Sequence, residues 1–156
     1  LHYGRYGIDA EDGRIQDLFL GYSSMVRGYE AGSIDAAECG PELAETGACP
    51  LIDRLLGSRL GVAGAELRLE LLGPLGIIPS RGFPPVQLAP FFDAGIVWTS
   101  KETPDFFGGS RRGVTSHGAS LRFNMLGFAI GQLSLVHPND RPGKDWLWEF
   151  SFLPGF

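Results

Sequence analysis

The sequence of 156 residues lacks a long apolar run, an excess of basic residues and a cluster of metal-ligating side chains. Its longest apolar tract, Leu69–Ile78, is interrupted by Glu70 and by several glycine and proline residues. A membrane-spanning helix needs about 20 consecutive apolar residues, so the sequence predicts none. The net charge of −5 and the isoelectric point near 5.1 leave no basic stripe for phosphates, so nucleic acid is not an expected partner.

Cysteine is scarce, with only Cys39 and Cys49 in the sequence. Both lie in a segment rich in glycine, alanine and glutamate, with no histidine or further cysteine nearby, so the pair is a poor zinc site. A local disulfide between Cys39 and Cys49 is favoured over two free thiols. Such a disulfide implies an oxidising compartment.

Arrangements typical of enzymes are also missing. The three histidines, His2, His117 and His137, are scattered without the spacing of metal ligands, and no serine stands in a nucleophile motif. Gly108 and Gly109 follow two phenylalanines, but no strand-to-helix unit surrounds them, so they do not predict a phosphate-binding loop. We therefore expect no enzymatic activity, no metal site and no cofactor.

Glycine and aromatic residues are abundant, with 23 glycines and 11 phenylalanines beside 11 prolines. This composition indicates strands joined by turns rather than a helical bundle. Leu1–Gly7 has the pattern of a strand end, and residues 8–58, which show little periodicity, are predicted to form one long functional loop. An alternation of apolar and polar residues then predicts strands at Gly64–Leu72, Val86–Trp98, Gly118–Met125, Phe128–His137 and Trp146–Phe156.

Each predicted strand has one apolar face and one face with charged or polar residues. The polar faces carry Glu66, Arg68, Glu70, Asp93, Arg122, Asn124 and Glu149. In a soluble β-sandwich the charged face would meet water. In a membrane barrel it would line the lumen, and the apolar face would meet lipid. Alternation alone fits both architectures.

Three features favour the membrane barrel over a soluble all-β binding module. Trp98, Trp146 and Trp148 adjoin long polar loops, as the aromatic residues of a membrane interface do. The connections alternate between long polar loops and mostly shorter turns, which is typical of outer-membrane barrels. The chain also stops on an aromatic residue within an alternating aromatic strand.

Several motifs occur in order along the chain: VRGY at 26–29, the acidic Glu66 in AELRLELLG, FDAG at 92–95, SHGASLRFNMLG at 116–127 and WEFSFLPGF at 148–156. In these motifs the sequence resembles the C-terminal barrel region of the outer-membrane superfamily of BamA, TamA and the bacterial surface antigens. VRGY is similar to the family's VRG[FY] loop motif, and FDAG is similar to its F-x-D-x-G strand motif. The stretches around LFLGYSSMVRGY and CPLIDRLLGSRLGVAGAELRLELLG resemble the barrels that follow a propeller-like domain.

The resemblance implies an all-β fold, an antiparallel transmembrane β-barrel of the bacterial outer membrane. Residues 1–156 would be its C-terminal part, with about six of roughly sixteen strands. Within it, residues 8–58 would form a long extracellular or lumenal loop and residues 59–156 five strands to the C-terminus. Residue 1 is Leu and no POTRA repeats precede it here. We therefore expect a fragment whose barrel is closed by upstream strands or by another chain.

The resemblance also assigns roles to loop residues. Arg27 is expected to reach Glu66 and Asp93 in the lumen, because a guanidinium has five donors and can bind two carboxylates. We name this predicted contact the loop latch, with the residues Arg27, Gly28, Tyr29, Glu66, Asp93 and Gly95. Its small residues would let the loop pass close to the barrel wall. On the residues alone, a solvent-exposed arginine with solvated carboxylates is the alternative.

The terminal strand resembles the family's C-terminal assembly signal, which Trp148, Phe150, Phe152 and Phe156 would form. In the family this strand meets the first strand at a seam that opens and binds client strands by β-augmentation. The implied function is insertion or translocation of polypeptides without nucleotide or cofactor. The alternative is a structural or anchoring barrel, or a surface-complex subunit, without insertase activity. Expected partners are outer-membrane lipid, upstream strands or another chain, and periplasmic accessory domains or lipoproteins.

Overall fold

The computed structural model describes residues 2–5, 17–73, 77–79, 84–99, 102–104, 111–125 and 129–154. The strands within these residues are β1 (His2–Arg5), β2 (Leu18–Phe19), β3 (Leu56–Gly57), β4 (Arg59–Glu66), β5 (Leu69–Gly73), β6 (Ile78–Pro79), β7 (Val86–Trp98), β8 (Val114–Met125), β9 (Ala129–Pro138) and β10 (Leu147–Pro154). The helices are α1 (Glu42–Thr46) and α2 (Pro50–Asp53), with 3₁₀ turns at Ala31–Ser33 and Ala36–Cys39. No helix in this described part is long and apolar enough to cross a membrane.

The main sheet is antiparallel along the strand order β1-β4-β7-β8-β9-β10. β7 pairs with β8 from Val86↔Phe123 to Gly95↔Val114, and β9 pairs with β10 along the whole length of β10. β1 and β10 are the two ends of this order, so the described sheet is open. The predicted all-β, antiparallel fold is confirmed, and six of the described strands form this order, with β5 and β6 paired beside it.

The alternation of residue types sorts the side chains onto two faces of the sheet. On β7, Ala89, Phe91 and Asp93 are buried, whereas Phe92 between them is 48% exposed. We name the face of Ala89, Phe91 and Asp93 the inner face, and the face of Phe92 the outer face. Directly paired residues share a face, so the pairing of Ala89 with Ser120 places Ser120 on the inner face as well.

One predicted strand, Gly64–Leu72, is divided in the structure. β4 ends at Glu66 and β5 begins at Leu69, although both pair with β7. Pro90 lies opposite the interruption, where its carbonyl accepts a hydrogen bond from the N–H of Leu67 at 3.0 Å. Because proline has no N–H, Pro90 cannot return a hydrogen bond, and the ladder breaks there. The residue types alternate across this break, which explains the prediction of one strand.

Residues 17–58, which we name the connecting segment, lie between β1 and β4. They contain the short pair β2–β3, the 3₁₀ turns and the two short helices. α2 begins at Pro50, whose fixed φ and missing N–H suit the first position of a helix. Cys39 and Cys49 form a disulfide that joins the second 3₁₀ turn to the start of α2. Elements this short leave no long periodicity in the sequence. The earlier part of the predicted 8–58 loop lies outside the described residues.

The connecting segment packs on the inner face of the sheet. The core between them consists of Leu20, Val26, Tyr29 and Leu55 from the segment and Leu60, Val62, Val97 and Val114 from the strands. Each of these side chains is at most 5% exposed. The residue pattern predicts charged and polar side chains on the inner face of the sheet. Where the segment covers the sheet, this prediction is wrong. There the inner face is apolar, because the segment supplies its packing partner.

Gly95 lies where the connecting segment passes close to β7. A Cβ atom at this position would come within 2.6 Å of Val26 and 2.8 Å of Leu20. Gly95→Ala is therefore expected to displace the segment and to lower the free energy of unfolding by about 1–3 kcal/mol, as overpacking does in cores. Urea unfolding of the full-length protein in detergent micelles measures this change.

Gly61→Ala on the neighbouring strand β4 is the matched control. Its Cβ would have its nearest neighbour at 3.7 Å, which is ordinary van der Waals contact. We expect this variant to unfold at the parental urea concentration. Equal midpoints for Gly95→Ala and Gly61→Ala would contradict the close approach at Gly95.

Candidate functional site

Arg27 is held in a tight turn of the connecting segment. The carbonyl of Tyr22 accepts hydrogen bonds from the N–H groups of Met25 at 2.8 Å and Val26 at 3.2 Å. Val26 is fully buried in the core, and Arg27, which follows it, is only 9% exposed. The turn therefore brings a guanidinium to the inner face of the sheet.

Arg27 and Asp93 form a bidentate ion pair. Nε of Arg27 donates to Oδ2 of Asp93 at 2.7 Å, and Nη2 donates to Oδ1 at 2.9 Å. The two side chains are 11% and 5% exposed. Buried charges are stable only when paired and hydrogen-bonded, and this planar two-bond geometry is the arrangement in which arginine binds a carboxylate most strongly.

Glu66 binds two partly buried arginines at once. It accepts a hydrogen bond from Nη1 of Arg27 at 3.2 Å, and its carboxylate lies 2.8 Å from Nη1 of Arg122. Arg68 adds a third contact at 2.8 Å, from a side chain that is 63% exposed. The charges of Arg27 and Arg122 are thus balanced by those of Glu66 and Asp93.

Phe91 and Ser120 complete the surroundings of the Arg27 guanidinium. Its Cζ lies 3.4 Å from the centroid of the Phe91 ring, a cation–π contact. Its Nη1 donates to Oγ of Ser120 at 3.3 Å. The sequence did not predict either residue for the site. Phe91 has the same parity as Asp93, so the alternation that indicated Asp93 could have found it.

Gly28 has a backbone conformation that favours glycine. Its φ is +90°, and a Cβ would come within 3.0 Å of Val136 and 3.2 Å of Pro138. Its N–H donates to Oε1 of Glu149 on β10 at 2.6 Å. Glu149 was not predicted for the site, although its parity, opposite to that of Phe150, indicates the inner face.

Tyr29 and Gly95 belong to the predicted loop latch but have other partners than the carboxylates. The hydroxyl of Tyr29 donates to the carbonyl of Thr115 at 2.8 Å and accepts from the N–H of Asp140 at 3.1 Å. Burial raises the pKa of Tyr29 above its ordinary value, so the hydroxyl stays protonated at neutral pH. Gly95 makes room for the core side chains of the segment. Of the predicted latch residues, the structure thus brings Arg27 into direct contact with both Glu66 and Asp93.

A second buried arginine, Arg141, lies in the turn between β9 and β10. It donates to both carboxylate oxygens of Glu38, at 2.8 and 2.7 Å, and the two side chains are 0% and 3% exposed. Burial raises the pKa of Glu38. The hydrogen bonds and the charge of Arg141 lower this pKa, and with them the pKa lies below its usual range. The stabilisation from this pair is fully present above the ordinary pKa of glutamate. It is lost as pH falls through the lowered value.

Three of the predicted terminal aromatic residues lie on the outer face, and one of them, Phe152, also lines the cavity beside the latch. Trp148, Phe150 and Phe152 are 68%, 55% and 61% exposed. The rings of Phe150 and Phe152 meet edge to face, with centroids 4.6 Å apart. Phe156 lies outside the described residues.

The chemistry of the cluster suits anchoring. An open cavity of about 420 Å³ adjoins it, with Arg27, Glu66, Asp93 and Arg122 among the lining residues. These four charged groups form a chain of ion pairs, in which Arg27 pairs with both carboxylates and Arg122 pairs with Glu66. Within the described ranges, no group of three or more His, Cys, Asp or Glu side chains is arranged to hold a metal ion. The cluster therefore attaches the connecting segment to the sheet through paired charges.

Arg27→Ala is expected to leave Asp93 without its buried partner, whereas Glu66 keeps Arg122. Removing one member of a buried ion pair costs roughly 3–5 kcal/mol, so the full-length protein should unfold at a lower temperature. Asp93→Asn should act in the same direction, because Arg27 loses the nearer of its two charged acceptors. Semi-native electrophoresis after heating measures unfolding, and limited proteolysis measures release of the connecting segment.

Arg68→Ala is the matched control for these two variants. Its contact with Glu66 involves a side chain that is 63% exposed, and exposed pairs contribute about 0–1 kcal/mol. It should therefore behave as the parent does. Parental unfolding and parental proteolysis in both Arg27→Ala and Asp93→Asn would show that the ion pair does not hold the segment.

The chain matches a known protein family over most of its length. The family model of the Omp85 superfamily domain matches residues 3–145, which include the Arg27 turn and the strands of Glu66 and Asp93. No curated protein and no solved structure matches the chain. The match confirms the predicted family. The chain therefore belongs to the Omp85 superfamily, whose members are outer-membrane β-barrel proteins of polypeptide insertion or translocation.

Proposed function

We propose that the chain is the C-terminal part of a barrel that inserts or translocates polypeptides at the bacterial outer membrane. In this proposal β10 provides the edge to which client strands add. The observation that carries it is the place of β10, which pairs with β9 and ends the strand order of the described sheet. The edge of a sheet presents N–H and C=O groups that an incoming strand can bind.

The residues of β10 indicate that its free backbone edge must pair with another strand. Phe150 and Phe152 lie on the outer face, which meets lipid in a barrel, and Glu149 is partly buried on the inner face. Unpaired backbone groups in lipid cost several kcal/mol each, so the edge must be covered by the first barrel strand or by a client strand. Pro154 at the end of β10 has no N–H, which weakens the last step of pairing.

The loop latch supports the same function by fixing the connecting segment. In a closed barrel the inner face of the sheet would line the lumen, so Arg27 would hold the segment inside the barrel wall. In this proposal residues 8–58 would be the lumenal or extracellular loop, and residues 59–156 would supply five strands of the wall, which include β4, β7, β8, β9 and β10. The buried ion pair with Asp93, 2.7 Å long, is the strongest support for this placement.

The proposal requires partners beyond this chain. Upstream strands or another chain would close the barrel, and outer-membrane lipid would surround the outer face. Periplasmic accessory domains or lipoproteins would deliver the polypeptide, since members of the family act in outer-membrane complexes. The resemblance to barrels that follow a propeller-like domain stays a prediction.

Photo-crosslinking in the full-length protein tests the proposed edge. A photoreactive amino acid at Ser151 on β10 should form adducts with an outer-membrane polypeptide while that polypeptide inserts into vesicles containing the protein. The same amino acid at Leu121, on the interior strand β8, is the control. Leu121 pairs with Leu88 on one side and Leu133 on the other, so we expect no polypeptide adduct there.

The anchoring alternative predicts a different result. Vesicles with the full-length protein would insert no more polypeptide than empty vesicles do, and Ser151 would crosslink only to other barrel strands. That pair of results would contradict the proposed function. Equal adduct yields at Ser151 and Leu121 would contradict the role of β10.

A further inference from the structure

Arg141 uses its whole guanidinium to bind the connecting segment. Besides the two bonds to Glu38, its Nη1 donates to the carbonyl of Gly28 at 2.6 Å and to Oγ of Ser33 at 2.9 Å. Its Nη2 donates to the carbonyl of Ser33 at 2.6 Å. The Arg141 side chain is 0% exposed. The turn before β10 is thus joined to three separate points of the segment.

The terminal hairpin, β9 and β10 with the turn between them, holds Gly28 from two sides. The carbonyl of Gly28 accepts from Arg141, and its N–H donates to Glu149 at 2.6 Å. Gly28 directly follows Arg27 in the chain, so the residue next to the ion pair with Asp93 is bonded to the last strand and to the turn before it. Both partners of Gly28 are charged side chains, and hydrogen bonds with a charged donor or acceptor are stronger than those between neutral groups.

Burial distinguishes Arg141 from the other cation of the same turn. Lys144 also pairs with the connecting segment, through Asp35, but its side chain is 28% exposed and that of Asp35 is 65% exposed. An exposed pair of this kind contributes little. Removal of Arg141 would instead leave the buried Glu38 carboxylate without its charged partner and the Gly28 carbonyl without this donor.

We propose that Arg141 is a positioning residue for the loop latch, and that Arg141 and Glu149 together couple the turn around Gly28 to the terminal hairpin. Displacement of β10 would then have to break both contacts with Gly28 or carry the turn with it. Glu38, which adjoins the disulfide at Cys39, holds Arg141 in place. This coupling requires only contacts within the chain and does not depend on insertion activity.

Hydrogen–deuterium exchange of the full-length protein in lipid nanodiscs tests the coupling. Arg141→Ala should speed exchange of the backbone amides at 22–38 and at 139–150 by at least about tenfold. Without the charge-assisted hydrogen bonds of Arg141, local opening of these segments costs less free energy. Residues 86–98 and 114–125 should keep parental rates. Arg141→Lys keeps the charge but lacks the planar fork, so its increase should be smaller.

The double variant tests whether the two contacts act as a unit. If Arg141 and Glu149 hold the same glycine, the increase in exchange at 22–38 in Arg141→Ala/Glu149→Ala should be smaller than the product of the two single increases. Lys144→Ala is the matched control from the same turn and should exchange as the parent does.

Parental exchange rates in Arg141→Ala would overturn the proposal, and so would two patterns of faster exchange. One is faster exchange in Arg141→Ala that is confined to 22–38, which would leave the hairpin uncoupled. The other is an equal increase in every strand, which would indicate a general loss of stability. If Arg141→Ala does not fold, Arg141→Lys and Glu38→Gln carry the same expectation in weaker form. Parental rates in both would overturn it equally.

Discussion

The ion pair between Arg27 and Asp93 is the contact on which the position of the connecting segment depends. Both side chains are almost fully buried, at 11% and 5% exposure, so neither charge is stable there without the other. Asp93 is fixed within β7, and the position of the guanidinium follows from it. Phe91 and Glu66 contact the same guanidinium, so a shift of Arg27 would give up the ring contact and leave a carboxylate with one partner fewer.

The apolar core and the ion pair have different physical roles in this arrangement. Leu20, Val26, Tyr29 and Leu55 of the segment remove apolar surface of the strands from water, and such burial is favourable but not directional. Apolar contact alone would allow the segment to shift along the inner face. The two-bond geometry of Arg27 with Asp93 is directional, so it selects one position. The core supplies the driving force and the charged cluster supplies the specificity.

Alternation within the strands was sufficient to predict that Glu66 and Asp93 share a face, because parity is a local property of the chain. The same pattern did not indicate the break at Leu67, since residue types continue to alternate where Pro90 interrupts the ladder. Arg141 could not be predicted from any local pattern. It lies in a turn without periodicity, and 113 residues separate it from Gly28. Contacts over such a distance become visible only when the sheet is assembled.

The contacts of the terminal hairpin also bear on how an edge strand can be held and still bind another strand. Glu149 connects β10 to Gly28 through a side chain on the inner face, and Arg141 acts from the turn before β10. Neither contact uses the backbone groups of β10, which are the groups that β-augmentation requires. A strand fixed through its backbone edge could not bind a client strand at that edge. A strand fixed through its inner side chains can keep its position while its edge exchanges partners, and the aromatic outer face stays in contact with lipid.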